Sequence, residues 1–201
     1  MKCHTKTKTN NASSGGSERL KKGAYNAVII AMFVAIIAVC SWITVPFPNV
    51  PFTLQLFGVF VALGILGGKR GTLTVFLYIL LGLVGAPVFS SFNSGIAALA
   101  GPTGGYIVGF LVSALVYWLL TALIKTEKWW VKMLFMSVSL LFCYLFGTLW
   151  FAYAYAEKAG ADGVLGVILM CVAPYVVPDA VKIFAAAKIS DWAKKRNLLK
   201  N

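Results

Sequence analysis

The chain has 201 residues, 60% of them hydrophobic, with a mean hydropathy of +0.84 and a formal net charge of +12. Soluble domains hold about 45–50% apolar residues, so the composition excludes an ordinary soluble domain and points to a polytopic membrane protein whose core is shared with lipid. The cations stand in tails and short loops between apolar runs, which is the distribution of topology signals and not of a nucleic-acid surface.

Residues 1–22 are polar and read as a flexible cytoplasmic tail, with 23–201 forming a single transmembrane domain. Cys3 and His4 fall in this tail, and Arg19, Lys21 and Lys22 close it. The first apolar run, Ala24 to Ile43, is longer than the ~7–15-residue core of a signal peptide and lacks a small-x-small cleavage site. It predicts a retained helix with its N-terminus in the cytoplasm. Ala27, Ala31 and Ala35 recur every fourth residue on it, a flat stripe that another helix can approach closely. Spacing alone leaves open whether that helix belongs to this chain or to a partner.

Val45 to Gln55 carries Pro46, Pro48 and Pro51 and cannot be regular helix. Apolar but irregular backbone at membrane depth is tolerated only where protein or a cavity covers it, so the segment predicts either a loop folded over a site or an interfacial turn. A second helix is expected over about Thr53 to Leu66, then a tight basic turn, Gly67-Gly68-Lys69-Arg70-Gly71. That turn is not a phosphate loop: Gly64 to Lys69 is one residue short of the spacing, and Arg70 takes the place of the magnesium-binding hydroxyl. A third helix is expected over about Thr72 to Val84.

The linker from Phe89 to Tyr106 contains Asn93, Ser94, a short apolar piece to Ala100, and Gly101-Pro102-Thr103-Gly104-Gly105. Long ordered loops in compact proteins are usually functional. Polar donors beside the flat faces of Phe89, Phe92 and Tyr106 suit a small, partly polar ligand, though a plain glycine-rich connector has the same composition. Helices follow over about Gly105 to Ile124 and Met133 to Tyr155, with Trp129 and Trp130 as interfacial anchors; Tyr144 is assigned with its aromatic neighbours to packing or lipid. Glu157, Lys158 and Asp162 make a charged outer loop. Val164 to Val172 is too short to span and predicts a lid or half-helix on the outer side.

A last helix is expected to start near Pro178, with proline in the first position and Asp179 and Lys182 on one face of its first turn. Charge at membrane depth costs roughly 2.5–3.5 kcal/mol on insertion scales, and such residues face a cavity or a partner. The pair serves either helix packing or a ligand. Cys40, Cys143 and Cys171 lie in separate apolar segments; with no ligand spacing they read as core residues and no metal site is expected. Six crossings with both termini cytoplasmic put every Lys and Arg inside except Lys158 and Lys182. The irregular loops and the Asp179–Lys182 pair then share the outer side.

PFTLQ at Pro51–Gln55, LGLVGAPVF at Leu81–Phe89, GPTGGYIVGF at Gly101–Phe110 and the Pro178-Asp179…Lys182 turn carry a resemblance over about Ala24 to Asp191. On them the chain resembles the BioY family, the biotin-binding S-components of energy-coupling factor (ECF) transporters. The resemblance implies an all-α integral membrane protein with the six-helix S-component fold and an outward-facing pocket for biotin, which is cargo and not a cofactor. It implies partners as well: a transmembrane coupling protein, docked on the Ala27–Ala31–Ala35 face, and two ABC ATPases. For a ureido ring, a thioether ring and a valerate carboxylate, Asp179 and Lys182 supply the charged contacts. Thr53, Gln55, Asn93 and Tyr106, with the backbone at Gly105, complete the hydrogen bonds, and Trp42 and Phe92 cover the thioether ring. Two rival readings remain: an S-component or transporter for another small vitamin, and a membrane enzyme, which requires a nucleophile–base pair or paired carboxylates.

Overall fold

Helix α1 (Thr9–Trp42) opens the computed structural model, which describes residues 9–45, 52–126, 128–154, 166, 168 and 172–196, and only the backbone over 9–19. Its apolar part, Leu20–Trp42, is 23 residues long, enough to cross a bilayer core of ~30 Å. Residues 9–22, expected as flexible tail, continue this helix instead. Once a helix is nucleated each further residue gains a hydrogen bond without new nucleation, and no proline stands between Thr9 and Lys22 to stop it. Ile30, Phe33, Val34, Ile37 and Ser41 are buried against the rest of the chain at the spacing of one helix face. Ala27, Ala31 and Ala35 are exposed on another, so the stripe packs on nothing within the described chain.

Strands β1 (Thr44–Val45) and β2 (Phe52–Thr53) form a small antiparallel ribbon, with Thr44 opposite Thr53 and Val45 opposite Phe52. The purely helical expectation missed it. Residues before proline are pushed towards extended backbone, which is where Val45 stands. The prolines Pro46, Pro48 and Pro51 themselves lie outside the described residues.

Helix α2 (Gln55–Leu66) is the axis of the packing: Val59, Phe60, Ala62 and Leu63 are fully buried, and α2 touches every long helix except α6 closely. The expected five-residue basic turn is a single residue, Gly67, at φ +81°. Glycine reaches that left-handed region at no steric cost, and Lys69, Arg70 and Gly71 therefore fall in the first turn of α3 (Gly68–Leu83). A 3-10 turn (Ser90–Phe92) and short helix α4 (Gly95–Ala100) follow. Helices α5 (Gly104–Leu123) and α6 (Trp129–Ala154) then pack as an extensive hairpin. By length and composition, Leu20–Trp42, α5 and α6 each suffice to cross a membrane.

Helix α7 (Ala173–Lys195) packs on α2 and α6. It begins a turn and more before the expected start: Pro174 is its second residue and Pro178 lies inside the helix. Pro178 has no N–H for the carbonyl four residues back, which weakens the ladder there. Asp179 and Lys182 thus belong to the body of α7, and the helix N-terminus is not beside them. The expected outer lid over Val164 to Val172 and the charged loop Glu157–Asp162 fall almost wholly outside the described residues, as do Cys3, His4 and Cys171.

Candidate functional site

Tyr175, Asp179 and Lys182 share one face of α7 and are all buried. Lys182 Nζ donates to Asp179 Oδ1 at 2.7 Å and to the Thr53 carbonyl of β2 at 2.7 Å. It also lies 3.8 Å above the centre of the Phe52 ring, a cation–π contact strengthened by burial. Phe52 in turn stacks on Tyr175, with centroids 6.3 Å apart. The Tyr144 hydroxyl of α6 donates a short hydrogen bond to Asp179 Oδ2. Each carboxylate oxygen of Asp179 therefore has a donor, and each charge of the pair is neutralised by the other. This meets the condition under which buried charge is tolerated.

Around the pair is a cleft of about 620 Å³, counted out to its open mouth, lined by β2, α2, α5, α6 and α7. Gln55 lines it from the first turn of α2; its Nε2 donates to Tyr78 Oη at 2.9 Å, and Tyr78 donates to the Val88 carbonyl at 2.7 Å. That carbonyl also receives the Ser41 hydroxyl of α1, so α1, α2 and α3 are all tied to the linker after α3 on the side of the bundle where the cleft lies. Phe89, 1% exposed, meets Tyr78 edge-on and packs against Gly82, where a Cβ would lie 2.2 Å from its ring. Tyr106 closes the α5 side, its ring held against α6 at Gly147, where a Cβ would lie 2.4 Å from the ring.

Of the residues expected at the site, Thr53, Gln55, Tyr106, Asp179 and Lys182 line the cleft together. Trp42, Phe92, Asn93 and Gly105 stand outside its lining. Trp42 stacks on Phe92 with centroids 5.1 Å apart, and its Nε1 donates to the Pro87 carbonyl at 2.8 Å, forming an exposed aromatic step between the end of α1 and the linker after α3. Asn93 is exposed, and its backbone carbonyl receives the Phe89 N–H. A Cβ on Gly105 would stand 2.2 Å from Trp150 Cβ; glycine there lets α5 and α6 meet. Phe52, Tyr144 and Tyr175 line the cleft without having been expected to. Tyr144 is the sharpest case, assigned to packing or lipid on composition. Its signal was a phenol in the middle of an apolar helix, which needs a polar partner when buried.

The BioY family model matches residues 8–197. The chain belongs to the BioY family. Over 164 residues it is 37% identical to the biotin transporter BioY of Thermotoga maritima, covering 82% of this chain and 92% of that protein. It is 38% identical over 164 residues to the probable biotin transporter BioY of Pyrococcus horikoshii, covering 81% and 92%. Its fold is similar to the 2.1 Å crystal structure of the S-component for biotin from an ECF-type ABC transporter, with a TM-score of 0.76 over 87% of this chain and 93% of that one. At 22% identity that likeness concerns the fold. This BioY-family chain is accordingly a multi-pass membrane protein, mostly helical, with the architecture of an S-component.

Proposed function

We propose that the chain is the biotin-capturing S-component of an ECF-type transporter and holds its cargo at the Asp179–Lys182 cleft. The observation that carries this is a buried, mutually neutralised ion pair that opens onto a cleft with both polar and aromatic walls. Such a pair presents no net charge. It therefore suits a neutral group that both donates and accepts, as a cyclic urea does. The ureido N–H groups meet the free lone pairs of Asp179, and the ureido oxygen meets Lys182, with Gln55 alongside. Tyr106, Tyr175 and Phe52 offer faces to the thioether ring. The valerate carboxylate points to the mouth, where hydration lowers the cost of its charge. Asn93, Trp42 and Phe92 are assigned to that mouth, and Gly105 to closing the wall behind Tyr106.

The relatives are named as transporters, and the chain is read as a transporter subunit and not an enzyme. Six crossings, cytoplasmic termini and an outward-facing site follow from the cation distribution. Energy comes from two partner ATPases through a transmembrane coupling protein, for which the exposed Ala27, Ala31 and Ala35 face is available.

Titration calorimetry of the detergent-purified protein tests the site. Asp179→Ala and Lys182→Ala are each expected to weaken biotin binding at least about tenfold, ~1.4 kcal/mol; unchanged affinity removes the pair from the site. Mass spectrometry of ligand retained through purification tests the substrate. Biotin is expected, and a different vitamin would overturn the substrate while leaving the architecture standing.

A further inference from the structure

The opposite end of the bundle carries a second cleft, ~22 Å along α5 from Tyr106 by helical rise. It lies where the α2–α3 turn, the end of α5, the start of α6 and the end of α7 converge, and it encloses about 960 Å³ counted out to its open mouth. Lys69, Lys125, Lys132 and Lys194 line it, with Thr121 and Trp118 between them. Lys132 is only 5% exposed. None of the described residues lining it is acidic. Glu127, in the same loop by sequence, lies outside the described residues, and the exposed Lys69 and Lys125 supply the accessible positive charge of the cleft.

A second observation fixes the depth of this cleft. Around it, cations stack on indole rings: Lys188 Nζ is 3.9 Å from the centre of Trp129, Arg196 Cζ 4.7 Å from Trp192, and Lys128 Nζ 5.7 Å from Trp130. Trp118, Trp130 and Trp192 are all exposed. Tryptophan collects at the level of lipid headgroups, so this cation–indole collar sets the cleft at the membrane–water boundary. Leu119, beside Trp118, and Leu115, one turn further from the cleft, are both exposed on α5, so an acyl chain can run from the cleft along this apolar surface of the bundle.

We infer that this cleft is a binding site for the phosphate headgroup of an anionic phospholipid. Phosphate is the shared chemistry of a lipid headgroup and a free anion. The indole collar and the apolar surface below it favour the lipid. The arrangement matches the general physics of basic pockets between membrane helices, where each lysine near an anionic surface adds attraction. The site is independent of the cargo held at Asp179.

The test is native mass spectrometry of the delipidated full chain in neutral detergent, titrated with phosphatidylglycerol or phosphatidylcholine, with inorganic phosphate as competitor. The wild type is expected to prefer phosphatidylglycerol by about tenfold or more, and the double variant Lys69→Gln/Lys125→Gln to lose most of that preference. Lys21→Gln/Lys22→Gln, which removes the same charge from exposed positions on α1, is expected to keep it. Lys69→Arg/Lys125→Arg is expected to keep it too, which separates charge from folding. Equal loss in both Gln pairs, or an unchanged preference in the cleft variant, would overturn the site. Displacement of the lipid by phosphate at equal concentration would make it a free-anion site. A cleft variant that keeps its lipid preference but no longer assembles with the coupling protein would make it a protein contact, and that too overturns the proposal.

Discussion

Lys182 makes more contacts than any sequence argument assigned it: an ion pair, a carbonyl of the β-ribbon and the face of Phe52. It joins β2 to α7 through a single side chain, and Tyr144 joins α6 to the same carboxylate. Removing one member of a buried pair leaves the other uncompensated, which costs about 3–5 kcal/mol, whereas replacing both by apolar or neutral groups is far milder. Lys182→Met is therefore expected to destabilise strongly, and Asp179→Asn/Lys182→Met to recover most of that loss, both read by reversible unfolding in mixed detergent. Tyr144→Phe removes a charge-assisted hydrogen bond and is expected to cost about 1.5–3 kcal/mol. A double variant no more stable than Lys182→Met would show that the pair's charges are not what holds these elements. Asp179 and Lys182 were legible in the sequence because charge is rare in apolar helix. Phe52 and Tyr175 were not, because their roles depend on which faces meet, and the phenol of Tyr144 marks a need for a polar partner without saying which one.

At the level of elements, the existence of the long helices was legible, while the short helix α4 and the helix ends were not. The apolar runs for α1, α2, α3, α5 and α6 follow from length and hydropathy, and their ends shift with single residues. Gly67 absorbs a turn that composition spreads over five residues. Pro174 is the second residue of α7 and Pro178 is carried inside it, because two prolines four apart each look like a start. Gly147 shows how an element interface shapes the site. It lets the Tyr106 ring approach α6 closely, and any Cβ would come within 2.4 Å of that ring. Gly147→Val is expected to push Tyr106 into the cleft and to weaken ligand binding by about tenfold or more, in the range of overpacking penalties of ~1–3 kcal/mol. Gly23→Val, where a Cβ would meet nothing within 4 Å, is the matched control and is expected to bind as the wild type does. Equal affinity of both variants, measured by calorimetry, would mean that the ring's position against α6 does not shape the pocket.

Across the whole molecule the two ends differ in kind. One holds a neutralised pair in a cleft beneath irregular loops; the other is basic and ringed with indoles. Alongside both runs α1, packed on α2 and α3 by one face and exposing Ala27, Ala31 and Ala35 on another. In lipid, helices associate through close packing and small residues and not through a hydrophobic drive, so an exposed alanine stripe is a face on which a second helix gains contact. That gives the stripe a use that does not involve the cleft. Ala31→Trp adds bulk where the described chain has no neighbour, and it is expected to leave cargo affinity unchanged while abolishing co-purification with the coupling protein. Leu119→Trp, on the exposed surface of α5, adds the same ring away from the stripe and is expected to co-purify normally. Retained assembly of Ala31→Trp would place the coupling contact elsewhere. Loss of assembly in both variants would show a general sensitivity to bulk at the lipid surface, leaving the alanine spacing without a special role.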